Sequence, residues 1–203
     1  MHSSTMHVPV LPEAPGPHTW KDFLALPDDD KRELIDGHFI EIDVPNEIHE
    51  WIVANLVTLL MSWARAHRAG IVFASGYKVR INERRGVMPD VQFFRTGHPR
   101  IGHEGLEEGS PDLAVEVISP SSGRFDRVKK REWYESIGTP EYWLFDPVPN
   151  LLERWVSKEG RFTEAERFEG DVLFRPDTFP GLEVQLRELW KFPDWSGWPR
   201  GSR

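Results

Sequence analysis

The chain has 203 residues, room for one domain with a substantial core, and its 39% hydrophobic content argues against disorder. The absence of cysteine excludes disulfides, thiolate zinc sites and a cysteine nucleophile. A formal net charge of −8 excludes the overall basic footprint of a protein that coats nucleic acid, so a polyanionic partner would have to meet a local basic cluster such as "RFDRVKKR", residues 124–131.

Residues 1–18 are rich in proline and histidine without periodicity and are expected to form a flexible arm, followed by a single domain over 19–203. The N-terminal stretch lacks the charged-then-apolar layout of a signal peptide. No run of about 18 apolar residues is present to span a membrane. With the lack of cysteine, this fits a cytoplasmic location. Thr19 followed by Asp22 resembles the cap of a short helix reaching Leu26. In "ELIDGHFIEI" apolar residues flank Asp36-Gly37, which predicts a tight β-hairpin. The clearest helix covers 46–69, capped by Asn46, with Ile48, Ile52, Leu56, Leu59, Leu60 and Trp63 in helical spacing and Gly70 as the stop.

Three strands are expected next, over 71–82, 88–94 and 112–118, the last two joined by a polar, glycine-rich link. A second helix is expected from Asp126 to Ser136, ending at "GTP", then a buried strand "EYWLFD" and a hairpin from 151–156 and 161–168. The order predicts an α/β fold: a mixed sheet flanked by helices, with β-hairpins near the N-terminus and towards the C-terminus.

Within "PDLAVEVISPSS" (111–122), Leu113, Ala114, Val115, Val117 and Ile118 read as a strand buried on both faces, yet Glu116 sits among them. A carboxylate removed from water needs a partner. Asp112 lies four strand residues away, roughly 13 Å, too far to share an ion. Asp90 opens the strand "DVQFF", and if the two strands are antiparallel neighbours it approaches Glu116. Two facing carboxylates repel unless a cation or a shared proton intervenes. Oxygen donors suit Mg2+ or Mn2+, and the Val117 carbonyl is a further candidate ligand.

"MPD" (88–90) followed by a strand ending in Glu116 resembles the PD-(D/E)xK superfamily with its restriction-endonuclease-like fold. More specifically, "ELIDGHFIEI" (33–42), His49 at the start of the long helix, "MPDVQFF" (88–94), "PDLAVEVISPSS", "DRVKKREWY" (126–134) and "GTPEYWLFDP" (138–147) are similar to the Uma2 family of bacterial endonucleases, also known as DUF820. The resemblance covers roughly residues 20–170. It departs from the superfamily pattern at Ile118, where a lysine is usual. The family supplies its lysine from the following helix, and Lys130 occupies that position, with Lys129 as the adjacent alternative.

The resemblance implies a metal-dependent endonuclease acting on DNA, with Asp90 and Glu116 holding Mg2+ or Mn2+ and Lys130 placing a water and neutralising charge. Glu33, His49, Asp126 and Tyr134 are the candidate supporting residues around that centre. The competing expectation is an inactive module that keeps the nuclease fold to bind protein or nucleic acid, which the net charge and the displaced lysine favour. Enzymes that cut both strands often pair two sites about a two-fold axis, so a homodimer is expected.

Overall fold

A computed structural model describes residues 14–27, 29–41, 44–98, 105–119 and 126–197, the side chain of Asp126 excepted. The expected arm therefore lies outside the described residues up to residue 13. From Ala14 to His18 the chain is tied to the first hairpin: the Gly16 amide donates to the Asp36 carbonyl and the His18 amide to that of Gly37. The capped helix is present as α1, Trp20–Leu24, where the Thr19 hydroxyl accepts from the Asp22 amide and the Asp22 carboxylate accepts from the Thr19 amide.

Strands β1, Arg32–Ile35, and β2, His38–Glu41, form the predicted hairpin. Its turn needs positive φ at both central residues, and Asp36-Gly37 provides 50° and 81°. The long helix α2 runs Glu47–His67. It buries Ile52, Val53, Leu56, Leu60, Trp63 and Ala64, and Arg68 in the left-handed region closes it two residues before Gly70.

The region expected as one strand, 71–82, is instead two: β3, Gly70–Ala74, and β4, Lys78–Asn82, which lie in different sheets. Gly76, with φ 108°, provides the break. A further strand, β5, Arg85–Val87, was not expected from the sequence. The strand predicted over 88–94 is β6, Val91–Arg95, so Met88, Pro89 and Asp90 form its approach. In the glycine-rich link, the short β7, Gly105–Leu106, pairs parallel with β4. Strand β8, Leu113–Val117, is buried throughout.

Helix α3, Arg131–Ser136, follows a wide π-type turn over Asp126–Lys130. Strand β9, Glu141–Asp146, and the long β10, Leu151–Lys158, then pair antiparallel, and β10 pairs on with β11, Arg161–Phe162, and β12, Glu166–Glu169, as the predicted hairpin. The tail adds β13, Leu173–Phe174, β14, Val184–Gln185, and a one-turn α4, Leu186–Leu189.

These strands form three sheets. The seven-stranded one has the order β11-β10-β9-β8-β6-β3, with β12 also on β10; the five-stranded one has the order β2-β1-β5-β4-β7; β13 and β14 make a pair. Both larger sheets are mixed, with β8–β9 and β4–β7 parallel. Alternation along β8 divides the core. Leu113, Val115 and Val117 pack beneath α2 and the C-terminal segment, whereas Ala114 and Ile118 face a second layer built with Val79, Val87, Trp133 and Tyr134. Glu116 has the parity of Ala114 and Ile118, and so opens into that second layer.

Candidate active site

The β6–β8 pair is antiparallel, with Val91 opposite Val115 and Phe93 opposite Leu113. Continued by one residue, this register sets Asp90 opposite Glu116 on the same face of the sheet. Asp90 does not extend the backbone ladder there. Its Oδ2 instead accepts a hydrogen bond from the Val117 amide at 2.8 Å, which fixes the carboxylate against the end of β8. The same oxygen lies 3.2 Å from Nε2 of His49. That histidine is held in the first turn of α2, where its amide donates to the Asn46 side chain at 3.0 Å. The helix cap thus orients an imidazole towards Asp90.

Glu116, 4% exposed, receives two donors on Oε1: Nζ of Lys130 at 3.0 Å and the Tyr134 hydroxyl at 2.6 Å. Lys130 and Tyr134 are four residues apart and meet the same oxygen from one helical face. Lys130 is itself buried, and its ammonium also lies 3.2 Å from Oε1 of Glu33. Glu33 Oε1 in turn accepts the Met88 amide at 3.0 Å, two residues before Asp90. Five of the expected residues, Glu33, His49, Asp90, Glu116 and Tyr134, therefore gather with Lys130 where β6, β8, β1, α2 and α3 converge. Lys129, the alternative cation, is about half exposed and pairs with Glu132 at 3.6 Å. Asp112 is apart from the group, its Oδ2 accepting the Arg95 amide. The side chain of Asp126 lies outside the described residues.

A family profile described as Uma2, putative restriction endonuclease, matches residues 20–187. The chain belongs to the Uma2 family. Among solved structures it is similar to one described as a putative nuclease belonging to DUF820 from Anabaena variabilis ATCC 29413, with a TM-score of 0.71 and 23% identity, covering 86% of this chain and 98% of that one. At that identity the likeness establishes the shared fold. No curated protein matches.

Whether this Uma2 protein can hold a divalent cation is decided by its donors. Among the described residues no group of three or more histidine, aspartate or glutamate side chains is arranged to hold a metal ion. Asp90 and Glu116 offer two hard carboxylates, with the backbone and water left to complete a shell. That donor set fits Mg2+ or Mn2+, which retain several waters and bind through one or two carboxylates. No described helix is long and apolar enough to cross a membrane.

Two cations of the basic run 124–131 are turned inward or held by acids. Arg127 donates to Asp146 at 2.5 Å and to Glu153 at 2.6 Å, and Lys130 is interior. The clamp was not legible in the sequence, because Glu153 reads as an ordinary strand residue and only the fold brings β10 beneath the turn. Arg127 anchors that turn on the sheet three residues before the ammonium reaches Glu116.

Burial, followed by the Glu116 charge, raises the Tyr134 phenol well above the ordinary value of 10.0. In the unfolded chain this phenol ionises at its ordinary value, while in the folded protein it keeps its proton. The stability it contributes is thus full below about pH 10 and is lost as the pH climbs towards the raised folded value. Tyr134→Phe is expected to lower stability by about 2 kcal/mol at pH 8, the order of a hydrogen bond to a charged group. The variant should also lose less stability than wild type between about pH 10 and 11. Urea unfolding at both ends checks this; equal alkaline slopes would mean that Tyr134 ionises as freely folded as unfolded.

Proposed function

We propose that the protein is a metal-dependent endonuclease that hydrolyses the phosphodiester bonds of DNA. The observation that carries this reading is the antiparallel β6–β8 register, which sets Asp90 opposite Glu116 while Lys130 stands 3.0 Å from Glu116. Asp90, Glu116 and the Val117 carbonyl would hold Mg2+ or Mn2+. When bound, the cation supplies Lewis acidity towards the phosphoryl group and makes a water acidic enough to attack.

The remaining steps belong to the chain. Asp90 is aligned by the Val117 amide and His49, and Glu116 by Tyr134, so neither carboxylate reorganises as charge develops. Lys130 keeps a positive charge at the edge of the centre, within reach of both Glu116 and Glu33, where it orients a water for in-line attack and stabilises negative charge growing on the phosphoryl oxygens. The acidic chain average predicts weak non-specific binding, because few phosphates are neutralised away from the centre.

The test is cleavage of plasmid or oligonucleotide DNA in Mg2+ or Mn2+ by wild type and Asp90→Ala. Wild type is expected to cut and the variant to stay at background. Equal trace activity in both would assign the cutting to a contaminant and end the proposal. A non-catalytic binding module is the second reading, supported by the engagement of Lys130 with two carboxylates; absence of any Mg2+ or Mn2+ heat from a folded sample would favour it. A homodimer fits double-strand cutting, and Trp195, 86% exposed, offers contact surface. A concentration-independent monomer mass in light scattering would remove it.

A further inference from the structure

The charges around Lys130 pose a problem for the metal reading, on which the following inference rests. The ammonium lies 3.0 Å from Glu116, the carboxylate that the reading assigns to a cation. A divalent ion brought to Glu116 would repel it, and the low dielectric of a buried site magnifies that repulsion. Lys130 would then compete with the cation, or leave just when its charge is needed. Its stem is flexible enough to move, but the residue is buried, so an ammonium leaving Glu116 needs another acceptor close by.

Glu33 resolves the conflict. Its Oε1 is 3.2 Å from the same ammonium, it is 2% exposed, and it is pinned by the Met88 amide, so it cannot follow Lys130 or swing to the cation freely. It also balances the site. Among the described residues, and with His49 neutral, Glu33, Asp90 and Glu116 against the Lys130 ammonium leave an excess of negative charge that one divalent cation matches. Without Glu33, the loaded site would carry a surplus of positive charge in a buried place. We infer that Glu33 is a positioning residue that takes Lys130 from Glu116 when a divalent cation binds, keeping the ammonium beside the centre without opposing the ion. The group acts through Lys130 and touches neither the cation nor the substrate. Because the carboxylate sits on β1 and its amide partner two residues before Asp90, the N-terminal hairpin is part of the metal response.

The experiment is Mn2+ titration by calorimetry on wild type, Glu33→Gln, Lys130→Met and the double variant, each first shown to be folded by circular dichroism. Glutamine retains an acceptor for the Met88 amide while removing the charge. With Lys130 present, Glu33→Gln is expected to weaken Mn2+ binding by roughly tenfold or more, and in the Lys130→Met background by clearly less. Equal weakening in both backgrounds overturns the inference, since Glu33 would then act only through its own field. Unchanged binding in Glu33→Gln overturns it too, while the metal reading stands. No Mn2+ binding by wild type removes both. Should Glu33→Gln not fold, Glu33→Asp keeps the charge and withdraws the oxygen from Nζ; weakening confined to the background with Lys130 supports the inference, and none overturns it.

Discussion

Replacing Lys130 with methionine is expected to lower folding stability by about 3–4 kcal/mol, the usual cost of removing one partner from a buried ionic group. The methionine keeps the apolar stem but leaves Glu33 and Glu116, 2% and 4% exposed, without the ammonium between them. Cleavage should fall to background in the same variant. Guanidinium unfolding checks the first effect and the DNA assay the second. Lys129→Met is the control: that side chain is about half exposed and pairs with Glu132 at 3.6 Å, so its replacement should stay within about 0.5 kcal/mol. A Lys130→Met protein as stable as wild type would mean that the two carboxylates already find enough compensation elsewhere.

Trp143→Ala is expected to cost about 4 kcal/mol, in the range of large-to-small changes at fully buried aromatic positions. Trp143 stands on β9 opposite Val115 of β8, is wholly buried, and meets the rings of Phe174 and Phe179 edge-on at 5.1 and 5.6 Å. Its indole N–H also donates to Glu141, a buried carboxylate shared with Arg154. Alanine would leave a cavity under β8 and loosen the C-terminal segment that Phe174 and Phe179 bring to the sheet. The expected result is a lower guanidinium midpoint together with early proteolysis within residues 170–190. A midpoint lowered by less than the cost of a single methylene would show that the segment collapses into the space.

Much of this site was legible because its signals are local. Asn46 announced the helix that presents His49, Asp36-Gly37 announced the hairpin that carries Glu33, and an acid inside an apolar strand marked Glu116. The antiparallel relation of Asp90 and Glu116 followed from a strand-link-strand order, and the structure shows the two strands paired. Lys130 and Tyr134 were reached through family resemblance; their four-residue spacing alone does not say that they face one carboxylate. What the sequence hid is non-local. Nothing in "GIVFASGYKVRIN" shows that β3 and β4 part at Gly76 for separate sheets, because both halves carry the same strand-forming residues. The basic run misled in the opposite direction, since the acids that neutralise Arg127 come from β9 and β10, 19 and 26 residues away.

The wide turn over Asp126–Lys130 has a consequence for how the chain can vary in length. A regular α-helix advances 100° per residue, so Arg127 and Lys130 would point within about 60° of each other. Here Arg127 reaches Asp146 at the end of β9 and Glu153 within β10, while Lys130 reaches Glu33 on β1 and Glu116 on β8. The surplus residue of the turn loosens the phase between the two cations and lets both docking points be met at once. Excising a single position between them would restore ordinary winding and force the chain to forfeit one anchorage or the other. Exchange of a side chain along the turn is therefore expected to disturb the site less than shortening it by one residue.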